Sequence, residues 1–148
     1  MNPPSTVSVC LWYDGDAEAA ARLYTSLIPN SEITSITPIM VTFTLDGISF
    51  QALNGGPLFK PTEAASIVVS TQDQAETDRL WHALIADGGS ESRCAWLKDR
   101  FGVSWQIVPQ RLPQLLADPD RQAAERVMQA MLQMSKIEID VLEAAFNG

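Results

Sequence analysis

Apolar positions along the first hundred or so residues follow two rhythms, a helical period and a strict alternation, and the same succession occurs twice. From Asp16 to Ile28 the apolar residues Ala17, Ala20, Ala21, Tyr24, Leu27 and Ile28 fall on one stripe, which predicts an amphipathic helix opening at an Asp N-cap. At an offset of 57, Asp73 to Ile85 repeats the pattern: Asp, Arg, Leu, Leu and Ile recur, and Trp81 stands where Tyr24 stood. A second pair, Gly47 to Leu53 and Gly102 to Val108, repeats at an offset of 55 as Gly, β-branched, Ser, aromatic, Gln and two apolar residues. Alternation puts Ile48 and Phe50 on one face and Ser49 and Gln51 on the other. The same parity separates Val103 and Trp105 from Ser104 and Gln106.

Filling in between gives strand, helix, strand, strand, strand in each half. The predicted segments are about 6–13, 16–28, 32–37, 39–45 and 48–54, then about 65–71, 73–87, 90–93, 94–98 and 103–109. Asp46-Gly47 is a hairpin-turn dipeptide, Asp99 to Gly102 a slightly longer turn, and Pro29-Asn30 and Asp87-Gly88-Gly89 close the two helices. The expected fold class is α+β: two tandem βαβββ modules forming a curved mixed sheet around a cavity, plus C-terminal helices. We take residues 1–148 as one domain, with module one at about 5–57, module two at about 63–110 and a helical tail at about 111–148. In the tail, Asp118-Pro119-Asp120 signals a helix start, followed by a stripe of Ala124, Val127, Met128, Met131 and Met134 and a short helix around 139–146. A methionine stripe at this spacing reads as core or subunit interface.

Composition narrows the function classes. With 148 residues, 46% apolar and 19% charged, the chain is long and greasy enough for a proper core. A net charge of −8 without clustered Lys or Arg excludes a footprint for nucleic acid or an anionic membrane. No run of about 18 apolar residues and no signal-like N-terminus occur, so a cytoplasmic protein is expected. Cys10 and Cys94 lie in apolar strand-like runs without Cys-x-x-Cys spacing and read as buried free thiols.

Few residues offer chemistry. The one histidine, His82, sits on the second helix with no triad-like neighbour and reads as a surface residue. The glycine pairs Gly55-Gly56 and Gly88-Gly89 do not open a helix after a strand, so no dinucleotide or phosphate loop exists. Gln51 and Gln106 occupy matching positions on polar strand faces, with Ser49, Ser104 and Asn54 close in sequence, and would project into a cavity if the aromatic faces pack on the helices. Trp81 and Trp105 have the parity of core, which leaves Trp12 and Trp96 as pocket walls. Lys98-Asp99-Arg100 reads as a solvated hairpin tip.

The repeat, with Trp12-Tyr13-Asp14-Gly15, Leu53-Asn54-Gly55-Gly56-Pro57 and the block Trp96-Leu-Lys-Asp-Arg-Phe-Gly-Val-Ser-Trp-Gln-Ile-Val-Pro109, resembles the PhnB-like branch of the vicinal oxygen chelate superfamily. That superfamily includes glyoxalase I, bleomycin-resistance proteins and extradiol dioxygenases. Similar chains often carry the label 3-demethylubiquinone-9 3-methyltransferase. The resemblance implies paired βαβββ modules around a cavity, homodimers, and a divalent metal held by one residue from each of four strands. Those positions fall at about Val9, Gln51, about Ser66 and Gln106, and the offset of 57 equates Val9 with Ser66. A valine, a neutral serine and two amides make a poor donor set for a divalent ion, so no metal and no cofactor are expected. The resulting expectation is a metal-free, small-molecule-binding homodimer with Trp12, Gln51, Asn54, Ser66 and Gln106 around the ligand. An enzyme acting on a small metabolite in the same cavity, or a dimeric scaffold with a filled cavity, stays open at this point.

Overall fold

The computed structural model describes residues 5–148, and the chain divides into two compact units, one ending at Pro61 and one running from Thr62 to Gly148. The first contains β1 (Val9–Tyr13), α1 (Ala17–Leu27), β2 (Glu32–Ile36), β3 (Met40–Leu45) and β4 (Ile48–Asn54). Its four-stranded sheet has the order β1-β4-β3-β2, with β1 parallel to β4 and the other pairs antiparallel. The second repeats this with β5 (Ser66–Thr71), α2 (Gln74–Ile85), β6 (Ser90–Glu91), β7 (Trp96–Lys98) and β8 (Ser104–Pro109) in the order β5-β8-β7-β6. The α+β class and the duplicated βαβββ succession are as the periodicities predict.

Each helix covers one face of its own sheet. Ala17, Ala20, Ala21 and Tyr24 of α1 are fully buried, as are Leu80, Trp81 and Leu84 of α2, at the i, i+3, i+4 spacing that makes a single apolar stripe. Opposite α1, alternate residues Val41, Phe43, Leu45, Phe50 and Ala52 are buried, and the Phe43 and Phe50 rings stack with centroids 5.4 Å apart. Buried polar atoms under the helices find partners: Tyr13 Oη and Tyr24 Oη lie 3.1 Å apart, and Thr71 Oγ1 and Thr77 Oγ1 2.6 Å apart. Asp46 and Gly47 both have positive φ, at 48° and 80°, as a two-residue hairpin between β3 and β4 requires.

Four local expectations are corrected. Asp16 makes no side-chain cap on α1, whereas Asp73 Oδ1 does accept from Glu76 N at 2.9 Å on α2. Cys10 is exposed rather than buried, because its position in β1 faces away from α1. Cys94 is half-buried, and with Ala95 it takes positive φ of 56° and 79°, so β7 starts only at Trp96. Asp99 is not a solvated tip: it is 2% exposed and organises the turn before β8. Its Oδ1 accepts from Phe101 N at 2.9 Å and Val103 N at 3.0 Å, and its Oδ2 accepts from Trp105 Nε1 at 2.9 Å. A buried indole N–H needs an acceptor, and a carboxylate placed six residues earlier supplies it.

The tail forms α3 (Arg111–Leu116), α4 (Arg121–Met131) and α5 (Ile139–Asn147), packed within the second unit. The sequence reading gives a helical tail from about 111 without marking α3 as a separate helix; Pro113 stands in its first turn, where its missing N–H costs nothing. Asp120 caps α4 through Ala123 N. Leu112, Leu115, Val127, Met134, Ile137 and Leu142 bury one another with Ala95, so two residues of the predicted tail stripe, Val127 and Met134, lie in this cluster and Met131 packs against it. The Gln74 side chain ties the tail to α2, donating to Ile137 O at 2.9 Å and accepting from Ile139 N at 2.7 Å. No helix among the described residues is long and apolar enough to cross a membrane.

Candidate functional site

Because helix covers one face of each sheet, the other face is where a site can form, and strand register decides which side chains reach it. In a parallel ladder, aligned residues point to the same side. In the first unit Cys10 aligns with Gln51 and Trp12 with Leu53, while Val9 aligns with Phe50 on the helix side. Val9 is therefore not on the face of Gln51. In the second unit Val68 aligns with Gln106 and Ser66 with Ser104. The two first strands thus correspond at an offset of 58, Cys10 with Val68, against 57 for the helices. The connection from β1 to α1 is one residue longer than that from β5 to α2, and one residue is enough to turn a strand position over.

On the first sheet the open face carries Cys10, Trp12, Gln51 and Thr42. Thr42 Oγ1 lies 2.7 Å from Thr34 Oγ1 and 2.6 Å from Ser35 Oγ, since a bulge between Ile33 and Ser35 turns both hydroxyls the same way. Trp12 is held as a fixed plate: its Nε1 donates to Gly56 O at 2.9 Å, and Phe59 meets it edge-on at 4.9 Å. Gly55 lies so close under the indole that a Cβ there would be 2.2 Å from Cε2. Asn54 aligns with Tyr13 and is occupied elsewhere, accepting from Ala17 N at 2.9 Å and donating to Pro38 O at 3.0 Å. It caps α1 in place of Asp16 and does not join Gln51.

On the second sheet the open face gathers more polar groups. Gln106 Nε2 donates to Ser66 Oγ at 3.0 Å. Trp96 aligns with Gln106 and Lys98 with Ser104, which brings an indole and an ammonium to the same side. A pocket of about 250 Å³ opens there, lined by Trp96, Lys98, Ser104, Glu63, Ser90 and Ser92 among others. Ser104 is 1% exposed, and its Oγ has no hydrogen-bond partner. Lys98 Nζ pairs with Glu63, whose carboxyl that contact holds below its ordinary value. His82 is exposed on α2, as expected. Sequence reasoning missed Glu63, which sits in a loop with no periodicity to betray it. Among the described residues no three His, Cys, Asp or Glu side chains cluster as metal ligands. The register pairs Cys10 with Gln51 in the first unit and Val68 with Gln106 in the second, so neither pair offers a carboxylate or an imidazole, and a valine with a neutral amide does not fit a divalent ion.

Residues 5–108 match the family model described as 3-demethylubiquinone-9 3-methyltransferase. A PhnB protein from Bacillus cereus with the same methyltransferase description is 30% identical, and the match covers 71% of this chain and 99% of that one, with a TM-score of 0.65. The chain is a PhnB-like member of the vicinal oxygen chelate superfamily. At the level of fold alone, this PhnB-like chain is also similar to a glyoxalase-related enzyme from Fulvimarina pelagi, at 20% identity over 72% of this chain and 89% of that one, TM-score 0.54. The fosfomycin resistance protein FosX from Listeria monocytogenes is similar at 15% identity over 73% and 91%, TM-score 0.53. No curated protein matches the chain. The family-model match ends at residue 108, ahead of α3 to α5.

Proposed function

We propose that this PhnB-like protein binds a small organic molecule on the open faces of its sheets and does so without a divalent ion. The observation that carries the reading is the second sheet's pocket, where a fully buried, unpartnered Ser104 hydroxyl lies beside Lys98 and Trp96. A sheet face made only for packing would not leave a buried hydroxyl without a partner, because that group loses its water and gains nothing. Gln106 and Ser66 lie outside the pocket lining but next to it in the strand ladder, opposite Trp96 and Ser104, and their mutual bond leaves the amide oxygen and the serine proton to a ligand. Gln51 and Trp12 offer the same combination, an amide and an aromatic plate, on the first sheet.

The test is a panel of small metabolites screened by thermal unfolding, followed by titration of the best compound into the wild type and Gln106→Leu. Loss of binding in Gln106→Leu with unchanged stability supports the site. Unchanged binding, or a variant that gains stability and a panel with no hit, contradicts it. We extend the proposal to a homodimer, the assembly the resemblance implies. Sedimentation showing only a 16.2 kDa species at micromolar concentration would overturn that part.

A further inference from the structure

The second-unit pocket has a polarity that the general reading leaves unused. Lys98 and Ser104 are cross-strand partners on β7 and β8, so an ammonium and a hydroxyl stand side by side on one face, both lining the pocket. Ser104 Oγ is buried without a partner, so the pocket is short of one group able to bond it. Lys98 already shows what its ammonium takes: it holds the Glu63 carboxylate. Glu63 comes from the exposed stretch 62–65 ahead of β5, and its side chain is 63% exposed against 40% for Lys98. The carboxylate is thus the partner that can swing into water, while the ammonium stays on its strand.

We propose that the pocket takes a small organic carboxylate, which displaces Glu63 from Lys98 Nζ and accepts a hydrogen bond from Ser104 Oγ while its apolar body lies along Trp96. The inference rests on the small-molecule reading above and names its ligand class. One ammonium without any arginine in the lining matches a single negative charge better than a phosphate dianion. The second carboxylate at the rim, Glu91, is engaged with Trp81 Nε1 at 2.9 Å and does not compete for Lys98. The lowered Glu63 pKa agrees with a charged, engaged internal carboxylate. Glu63 then acts as a built-in competitor: a pocket free of it only about a tenth of the time binds about tenfold more weakly than its intrinsic affinity.

Benzoate, benzamide and benzylamine are the probes, titrated into the full chain by calorimetry. Wild type is expected to bind benzoate at least about tenfold tighter than benzamide, since only the former makes charge-assisted bonds. Glu63→Gln is expected to tighten benzoate about tenfold and leave benzamide unchanged. Lys98→Met is expected to cost benzoate about tenfold, with Ser104→Ala weaker in the same direction. Equal affinity for benzoate and benzamide, tighter binding of benzylamine, or no effect of Glu63→Gln overturns the carboxylate inference while leaving a small-molecule pocket standing. Absence of binding by all three probes to both the wild type and Glu63→Gln overturns the inference, and the metabolite panel with Gln106→Leu then decides the broader reading separately. The probe comparison in the wild type needs no variant to fold.

Discussion

Asp99 is the residue whose removal should cost this fold most, for a reason visible in its three bonds. Its carboxylate accepts from two backbone N–H groups and from the Trp105 indole, at 2.9 to 3.0 Å, while 2% exposed. Asp99→Ala removes every acceptor at once and leaves three donors, two of them on buried residues. A buried donor stripped of its partner costs about 1–3 kcal/mol, and the Phe101 N–H, half-buried, will recover part of that from water. A total of about 3–5 kcal/mol follows, in the range seen when a buried network is broken. Asp99→Asn keeps one acceptor oxygen but turns an amide N–H₂ toward either the backbone donors or the indole, so about 2–3 kcal/mol is expected. Urea unfolding followed by tryptophan fluorescence reads both, since Trp105 reports on the lost bond directly. An unfolding free energy for Asp99→Ala within about 1 kcal/mol of wild type, at unchanged slope, would refute the assignment of Asp99 as the turn's organiser.

Other consequences are open to simple tests. Asn54→Ala removes the cap on Ala17 N and the bond to Pro38 O, and a loss of about 1–2 kcal/mol is expected by urea unfolding; an unchanged midpoint would mean the cap is idle. Cys10 is exposed and Cys94 half-buried with its Sγ 3.6 Å from Met131 O, so a thiol reagent should label one cysteine fast in the native protein and the other only on unfolding; equal rates would contradict the register of β1. Asp78 has its pKa lowered by hydrogen bonds from Lys136 and Gln74. A depressed carboxylate stabilises the fold at pH above its ordinary value of 3.8, and that contribution is lost as pH falls through the lowered value. Lys136→Met should therefore flatten the acid limb of stability below about pH 4 by a small amount, Asp78 being partly exposed, and an identical acid limb would count against the pair.

How far the sequence carried the reading differs between elements and site. Strong periodicities located both helices and most strands to within a few residues, because the Ala17 to Tyr24 and Leu80 to Leu84 stripes and the Phe50 and Trp105 alternations are consequences of burial itself. Side of sheet is a one-residue property, and there the helix offset misled: it equated Val9 with Ser66, while hydrogen-bond register equates Cys10 with Val68. Asn54 illustrates a second limit. An amide at a strand end reads equally well as a ligand anchor or a cap, and only the position of Ala17 N decides. Asp99 was legible in principle, since Asp followed by Phe-Gly-Val and a tryptophan six residues on is the pattern of an Asx turn feeding an indole. The Glu63 to Lys98 contact joins residues 35 apart through a loop without pattern, and no local signal announces it.

Thermal unfolding of chelator-treated protein, with Mn²⁺, Fe²⁺, Ni²⁺ and Zn²⁺ in one arm and small organic acids and neutral metabolites in the other, tests the central claim most directly. A native-state ligand at about 100 times its dissociation constant adds about 2.7 kcal/mol, which for a chain of this size raises Tm by about 5–10 °C. The account predicts such a shift with an organic compound in the absence of metal, and none with any metal alone. A shift of that size with one divalent ion, and no response to any organic compound without it, would contradict it.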